Sequence, residues 1–194
     1  MKLLRYVTPS GAGGNGLLIG NKIYSLNNLT TTEALNNLKE GDPHWEQCLR
    51  QPPVALSETT LLPPVEGPGA FLDFYTFEQH VRTARKKRGL DIVPEWYEFP
   101  VWYNGSTRCF SGHGSTVYFP ENENKKDYEL ELAIVIKKKC HRIPVEEATE
   151  KIGPFTFVND FRARQFQEAA SAGAQRAHRA ADAGARGSAA RRLA

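Results

Sequence analysis

The sequence predicts a mixed α+β, β-rich protein, and three features carry that reading. Residues 127–136 (DYELELAIVI) alternate polar and apolar side chains, the two-residue period of a strand. Residues 2–7 (KLLRYV) and 17–25 (LLIGNKIYS) are short apolar strand candidates on either side of a Gly- and Asn-rich stretch. The helical patterns are brief and are bounded by Gly or Pro.

In chain order, the glycines of 11–16 are expected to form the loop of an N-terminal hairpin. They also match G-x-G-x-x-G at Gly11, Gly13 and Gly16. A dinucleotide loop must open a helix after its last glycine, whereas Leu17 to Ile23 reads as strand, so that site is excluded. Residues 31–50 carry a helical pattern interrupted at Gly41-Asp42-Pro43, and Pro52-Pro53 and Leu62-Pro63-Pro64 make an extended connector. A small N-terminal subdomain is therefore expected over 1–64. From there, 77–88 (FEQHVRTARKKR) reads as a helix stopped by Gly89, and Val101-Trp102-Tyr103 as a strand. Pro144 opens a short helix with Glu146 and Glu147 in its first turn, ended by Gly153, before a strand at 155–158.

Composition narrows the function. The 194 residues are 40% hydrophobic and 24% charged, ordinary globular proportions. Apolar runs such as Leu132–Ile136 fall far short of the roughly 20 residues that cross a bilayer, and Arg5 interrupts any leader-like start. Cys48, Cys109 and Cys140 have no metal or disulfide spacing and read as thiols of a reducing compartment, so a cytoplasmic location is expected. The net charge is +3, but 169–194 holds five arginines and one acid, leaving 20 basic against 21 acidic residues in the rest. The body is thus expected to bind neither nucleic acid nor membrane. The alanine-rich segment 169–194 reads as a frayed helix or disorder, as a basic arm, or as the product of a frame slip near codon 168.

Acidic residues suggest where chemistry sits. Alternation places Asp127, Glu129, Glu131, Ala133 and Val135 on one strand face and Tyr128, Leu130, Leu132, Ile134 and Ile136 on the other. The acidic face is either solvent-facing or the mouth of a buried site, since it turns apolar at Ala133. Asp160 follows an apolar strand. Asp73 lies among Phe71, Leu72, Phe74 and Tyr75, as a cap or turn residue or as a ligand. An all-carboxylate cluster selects Mg²⁺ or Mn²⁺, with Ca²⁺ also compatible, over zinc. His80, seven residues beyond Asp73, is the histidine tied to an acid by sequence.

Three motifs in order, Asp73-Phe74-Tyr75-Thr76-Phe77-Glu78-Gln79-His80, the D-Y-E-L-E-L-A run at 127–133, and Asn159-Asp160 with Ala163-Arg164 and Gln167, resemble the fumarylacetoacetate hydrolase family over about residues 1–168. The resemblance implies a partial rolled β-sheet core over 65–168. It implies metal ligands Asp73, Glu129, Glu131 and Asp160, a water-activating His80, and substrate contacts from Tyr75, Tyr103, Arg164 and Gln167. The implied reaction is metal-dependent hydrolysis of a carbon–carbon bond in a 1,3-dicarbonyl acid of the fumarylacetoacetate or acylpyruvate type. Glu78 and Glu95 are local candidates for the glutamate that assists His80. The implied partners are a small keto acid and, for the full-length family, a second copy in a homodimer.

The sequence also departs from the family pattern. Arg162 and Gln165 stand where Ser and Asp are usual, and after Gln167 the expected lysine-containing Gly-Pro-Lys-Gly-Lys-Asp-Phe-like stretch is replaced by the Ala/Arg segment. The expectation is a chain that stops within the catalytic domain, with apolar sheet faces left uncovered. A keto-acid decarboxylase or isomerase, or an inactive fragment that only binds metal, remain the alternatives.

Overall fold

A computed structural model describes residues 2–41 and 43–172. Residue contacts divide the chain into two units, Met1–Ser115 and Thr116–Ala194. The subdomain boundary expected at residue 64 falls in a connector inside the first unit, and most of the Ala/Arg segment, 173–194, lies outside the described residues.

The first unit opens with an antiparallel sheet of β1 (Lys2–Val7), β2 (Gly13–Ile19), β3 (Lys22–Ser25), β4 (Val54–Ala55) and β5 (Thr60–Leu62), in the order β4-β3-β2-β1-β5. Two details differ from the sequence reading. The turn after β1 closes at Ala12, where Thr8 N–H donates to the Ala12 carbonyl at 2.7 Å, so the later glycines belong to β2. They serve close approach: a Cβ on Gly13 would lie 2.2 Å from the Tyr6 carbonyl oxygen, and one on Gly16 would lie 2.5 Å from Ile23. The stretch 17–25 is two strands, because Gly20, at φ +59°, permits a two-residue turn with Asn21. No helix follows Gly16, in keeping with the excluded dinucleotide site.

Helices α1 (Thr31–Asn37) and α2 (Pro43–Leu49) bring Ala34, Trp45 and Cys48 onto Leu17 and Leu26, the buried core of this sheet. Each fully buried leucine stabilises by about 1.5–3 kcal/mol. Thr30 and Glu33 form a reciprocal capping box at the start of α1. The same unit holds the two-stranded pair β6 (Phe71–Phe74) and β7 (Trp102–Gly105), with α3 (Glu78–Lys86) following β6 and a turn after it closed at Gly89, φ +71°.

The second unit is built on a long antiparallel ribbon, β8 (Lys126–Ile136) and β9 (Ile152–Ala163), joined through α4 (Val145–Lys151) and followed by a helix over 164–172. Its acidic face is half-buried at Glu129 and Glu131, while the apolar face is open: Tyr128, Leu130, Leu132, Ile134, Ile136, Phe155, Phe157 and Phe161 are each at least 45% exposed. Of the two readings of the acidic face, the half-burial of Glu129 and Glu131 goes against the solvent face, and the expected uncovered apolar face is present. Among the described residues no helix is long and apolar enough to cross a membrane, and no disulfide joins the three cysteines.

Candidate functional site

In the first unit, the β6–β7 register places Asp73 directly opposite Tyr103. Asp73 is therefore a strand residue, half-buried because alternation turns it away from exposed Leu72 and Phe74. The pairing continues one step further, with Tyr75 N–H donating to the Val101 carbonyl at 3.1 Å, and Trp96 Nε1 donates to the Tyr75 carbonyl at 2.9 Å. These bonds fix Tyr75 at the exit of β6, and its ring meets His80, in the first turn of α3, edge-to-face at 5.4 Å. Four expected site residues, Asp73, Tyr75, His80 and Tyr103, thus sit around one strand end. Glu78 is engaged elsewhere: Arg82 donates to it and Tyr97 Oη lies 3.0 Å away, and these bonds, Arg82 first, hold its carboxyl below the usual range.

In the second unit, the β8–β9 register puts Glu129 opposite Asp160, Glu131 opposite Val158 and Asp127 opposite Arg162. Asp160 lies well inside β9, since alternation continues unbroken from Phe155 through Arg162 and pairing runs on to Ala163, and it is not at a strand end. A carboxylate oxygen of Glu131 and one of Asp160 come within 4.8 Å of each other. Such a pair repels unless a cation offsets it, and Arg162 Nη2 pairs with Asp160 Oδ2 at 2.7 Å. The neighbouring Glu129 has both oxygens occupied: Arg162 Nε donates to Oε2 at 2.9 Å and Arg164 Nη2 to Oε1 at 2.6 Å. Burial alone would raise the Glu129 pKa, but the hydrogen bonds from Arg164 and Arg162 keep it below its ordinary value. Arg164 also donates to Asp127 Oδ2 at 2.8 Å and to Gln167 Oε1 at 3.1 Å, so the two expected substrate contacts of this unit touch. The Asp127 carboxyl is lowered, first by Arg164 and then by the Tyr128 N–H. The donor set is oxygen throughout, close-spaced and half-buried, and it fits a hard divalent cation.

Residues 70–189, more than half of the chain, match the family described as Fumarylacetoacetate (FAA) hydrolase C-terminal. The chain belongs to this family. The match runs past residue 168, where the motif-by-motif resemblance ends. Among relatives within the fumarylacetoacetate hydrolase family, Oxaloacetate tautomerase YisK of Bacillus subtilis is 39% identical over 72 residues, 37% of this chain and 24% of that protein. The Fumarylacetoacetase of Caenorhabditis elegans is 26% identical over 136 residues, 59% of this chain and 32% of that protein. The matches therefore span a third or less of these relatives' own length. A solved structure from Mycobacterium abscessus superposes with TM-score 0.56 at 22% identity, covering 87% of this chain and 58% of that one, which supports the fold.

Beside the family motifs stands a residue that sequence reading missed. Glu123 is only 2% exposed, and its carboxylate accepts backbone N–H bonds from Lys125 at 2.6 Å, Gln165 at 3.1 Å and Phe166 at 3.3 Å. It caps the helix over 164–172 from a distant loop and so places Arg164 and Gln167. A signal for it would have been an acid 42 residues from a helix start, which no local pattern encodes. Burial raises its pKa, yet the three backbone bonds outweigh burial and the net shift is downward. A lowered folded-state pKa means its stabilisation is complete above the usual value of 4.5 and is lost as pH falls through the folded value. Glu123→Gln is expected to lower Tm at neutral pH by roughly 5 °C. Melts of both proteins from pH 7 downward check this, because the gap should close in acid; a gap independent of pH would remove the ionised cap.

Proposed function

We propose that the protein is a divalent-metal-dependent enzyme acting on a 1,3-dicarbonyl acid of the acylpyruvate type, hydrolysing the carbon–carbon bond between the carbonyls. The observation that carries this reading is the approach of Glu131 and Asp160 to within 4.8 Å on a half-buried face. Its metal ligands are Asp73, Glu129, Glu131 and Asp160, with Mg²⁺ or Mn²⁺ as the ion. A bound ion would polarise the carbonyl under attack and offset charge on the departing group. His80 takes the proton of the attacking water as its oxygen bonds to the carbonyl carbon. The carbon–carbon bond then breaks with its electron pair leaving on the enolate side, and the proton on His80 returns to that carbon. Arg164 pairs with substrate carboxylate, for which it must give up part of its hold on Asp127 and Glu129. Tyr75, Tyr103 and Gln167 orient the acid. On the same reading the partner is a second copy of the chain and the location is cytoplasmic.

A second reading, keto–enol tautomerisation of a keto acid, is favoured by the relative named as an oxaloacetate tautomerase. It needs the same chelating carboxylates and a group that shuttles a proton between carbon and oxygen, and it needs no water. The full 194-residue chain, incubated with Mn²⁺ and an acylpyruvate, is expected to release two carboxylic products in equal amounts. Oxaloacetate supplied as the enol, followed by its ultraviolet absorbance, is the parallel assay. Enol decay accelerated by the protein without cleavage of the acylpyruvate selects the tautomerase; no metal-dependent turnover of either overturns both.

A further inference from the structure

We infer that Arg162 is a resident cation that competes with a divalent ion for the same carboxylates, so that this one side chain sets the metal affinity of the carboxylate site. The inference rests on the metal reading given under Proposed function. Arg162 leaves β9 on the half-buried face, its side chain 20% exposed, and its guanidinium spans two carboxylates of opposite strands. Nε donates to Glu129 Oε2 at 2.9 Å, and Nη2 pairs with Asp160 Oδ2 at 2.7 Å. Those carboxylates are themselves only 28% and 22% exposed, which limits screening by water. A planar fork with several fixed donors suits this bridge, as a lysine ammonium would not.

The consequence follows from lone pairs and charge. A divalent ion of the Mg²⁺ or Mn²⁺ type takes carboxylate oxygens at about 2.0–2.2 Å and tolerates no competing donor on the same lone pair. Asp160 has one oxygen on Arg162, and Glu129 has one on Arg162 and one on Arg164. Each oxygen keeps a second lone pair, so the ion and the guanidinium compete through the repulsion of two positive charges across shared carboxylates. The face carries four acids, Asp127, Glu129, Glu131 and Asp160, against Arg162 and Arg164. Removing Arg162 changes its formal charge from −2 to −3 as well as freeing two oxygens, and affinity in oxygen-donor sites rises with ligand charge. Arg164 is not equivalent, because its second partner is Asp127, outside the proposed ligands.

Titration of the full chain with Mn²⁺ alone, by calorimetry, tests this without any substrate. Arg162→Gln is expected to lower the Mn²⁺ Kd at least about 10-fold. It is also expected to lower Tm in EDTA while enlarging the rise in Tm on adding Mn²⁺. A Kd in R162Q equal to or weaker than that of the unaltered chain overturns the inference, and leaves the metal reading standing because the unaltered chain binds. Binding seen only in R162Q supports it outright. Should R162Q show no cooperative melt, Arg162→Lys decides: it keeps the charge but not the fork, and is expected to tighten Mn²⁺ about 3-fold, with an unchanged or weaker Kd again fatal. Absence of Mn²⁺ binding by the unaltered chain and both folded variants removes this inference together with the metal reading.

Discussion

Glu131→Gln is expected to weaken Mn²⁺ binding at least about 100-fold, since charge count alone moves oxygen-donor sites by orders of magnitude. The substitution keeps the volume and shape of a half-buried side chain on β8, so packing against its neighbours is retained. What it removes is one of two carboxylates whose oxygens come within 4.8 Å. The second quantity is Tm in the absence of metal, where Asp160 is already paired with Arg162, and it is expected to change little. Calorimetric titration gives the first quantity and a melt in EDTA the second. Full-strength Mn²⁺ binding by E131Q would show that the acidic face of β8 is not a metal site. A lower Tm in EDTA would show that Glu131 is a structural partner first.

The strand that carries this residue was legible because its period is two: DYELELAIVI cannot bury a helical stripe. Alternation told which side chains share a face but not which face water sees, and the structure half-buries the acids while exposing Leu130 and Leu132. Register is the other thing local pattern withholds. That Glu129 faces Asp160, and that Arg162 and Arg164 reach back to Glu129, depends on pairing across more than 30 residues. The sequence flagged Arg162 as unusual for the family without showing that it lies between two proposed ligands. The sequence reads Asp160 as following an apolar strand at 155–158, yet Asn159 to Ala163 continue the ladder. In the N-terminal sheet, the sequence makes glycine look like loop chemistry. At Gly13 and Gly16 its role is the missing Cβ, a demand set by Tyr6 and Ile23 from other strands. Glu123 is the extreme case, a buried acid explained only by the helix start it caps.

His80→Ala is the second large effect, and it separates proton transfer from metal binding. His80 is exposed in the first turn of α3, with the Tyr75 ring as its edge-to-face neighbour. Its loss should therefore cost little stability, within about 0.5 kcal/mol for an exposed position. Mn²⁺ affinity should stay within about 2-fold, since the proposed ligands are carboxylates. Turnover of the hydrolysed or tautomerised substrate should fall by roughly 10²–10⁴, the usual worth of a positioned acid–base group. Tyr75→Phe supplies the contrast: it keeps the ring that meets His80 and loses only the hydroxyl, so it should retain most of kcat and raise KM if the hydroxyl orients substrate. Equal losses of kcat in H80A and Y75F would mean that the pair acts by shaping the strand end. An H80A protein with weakened Mn²⁺ binding would move the histidine into the metal site. Only a fall in kcat at constant metal affinity and constant Tm leaves His80 as the group that carries the proton.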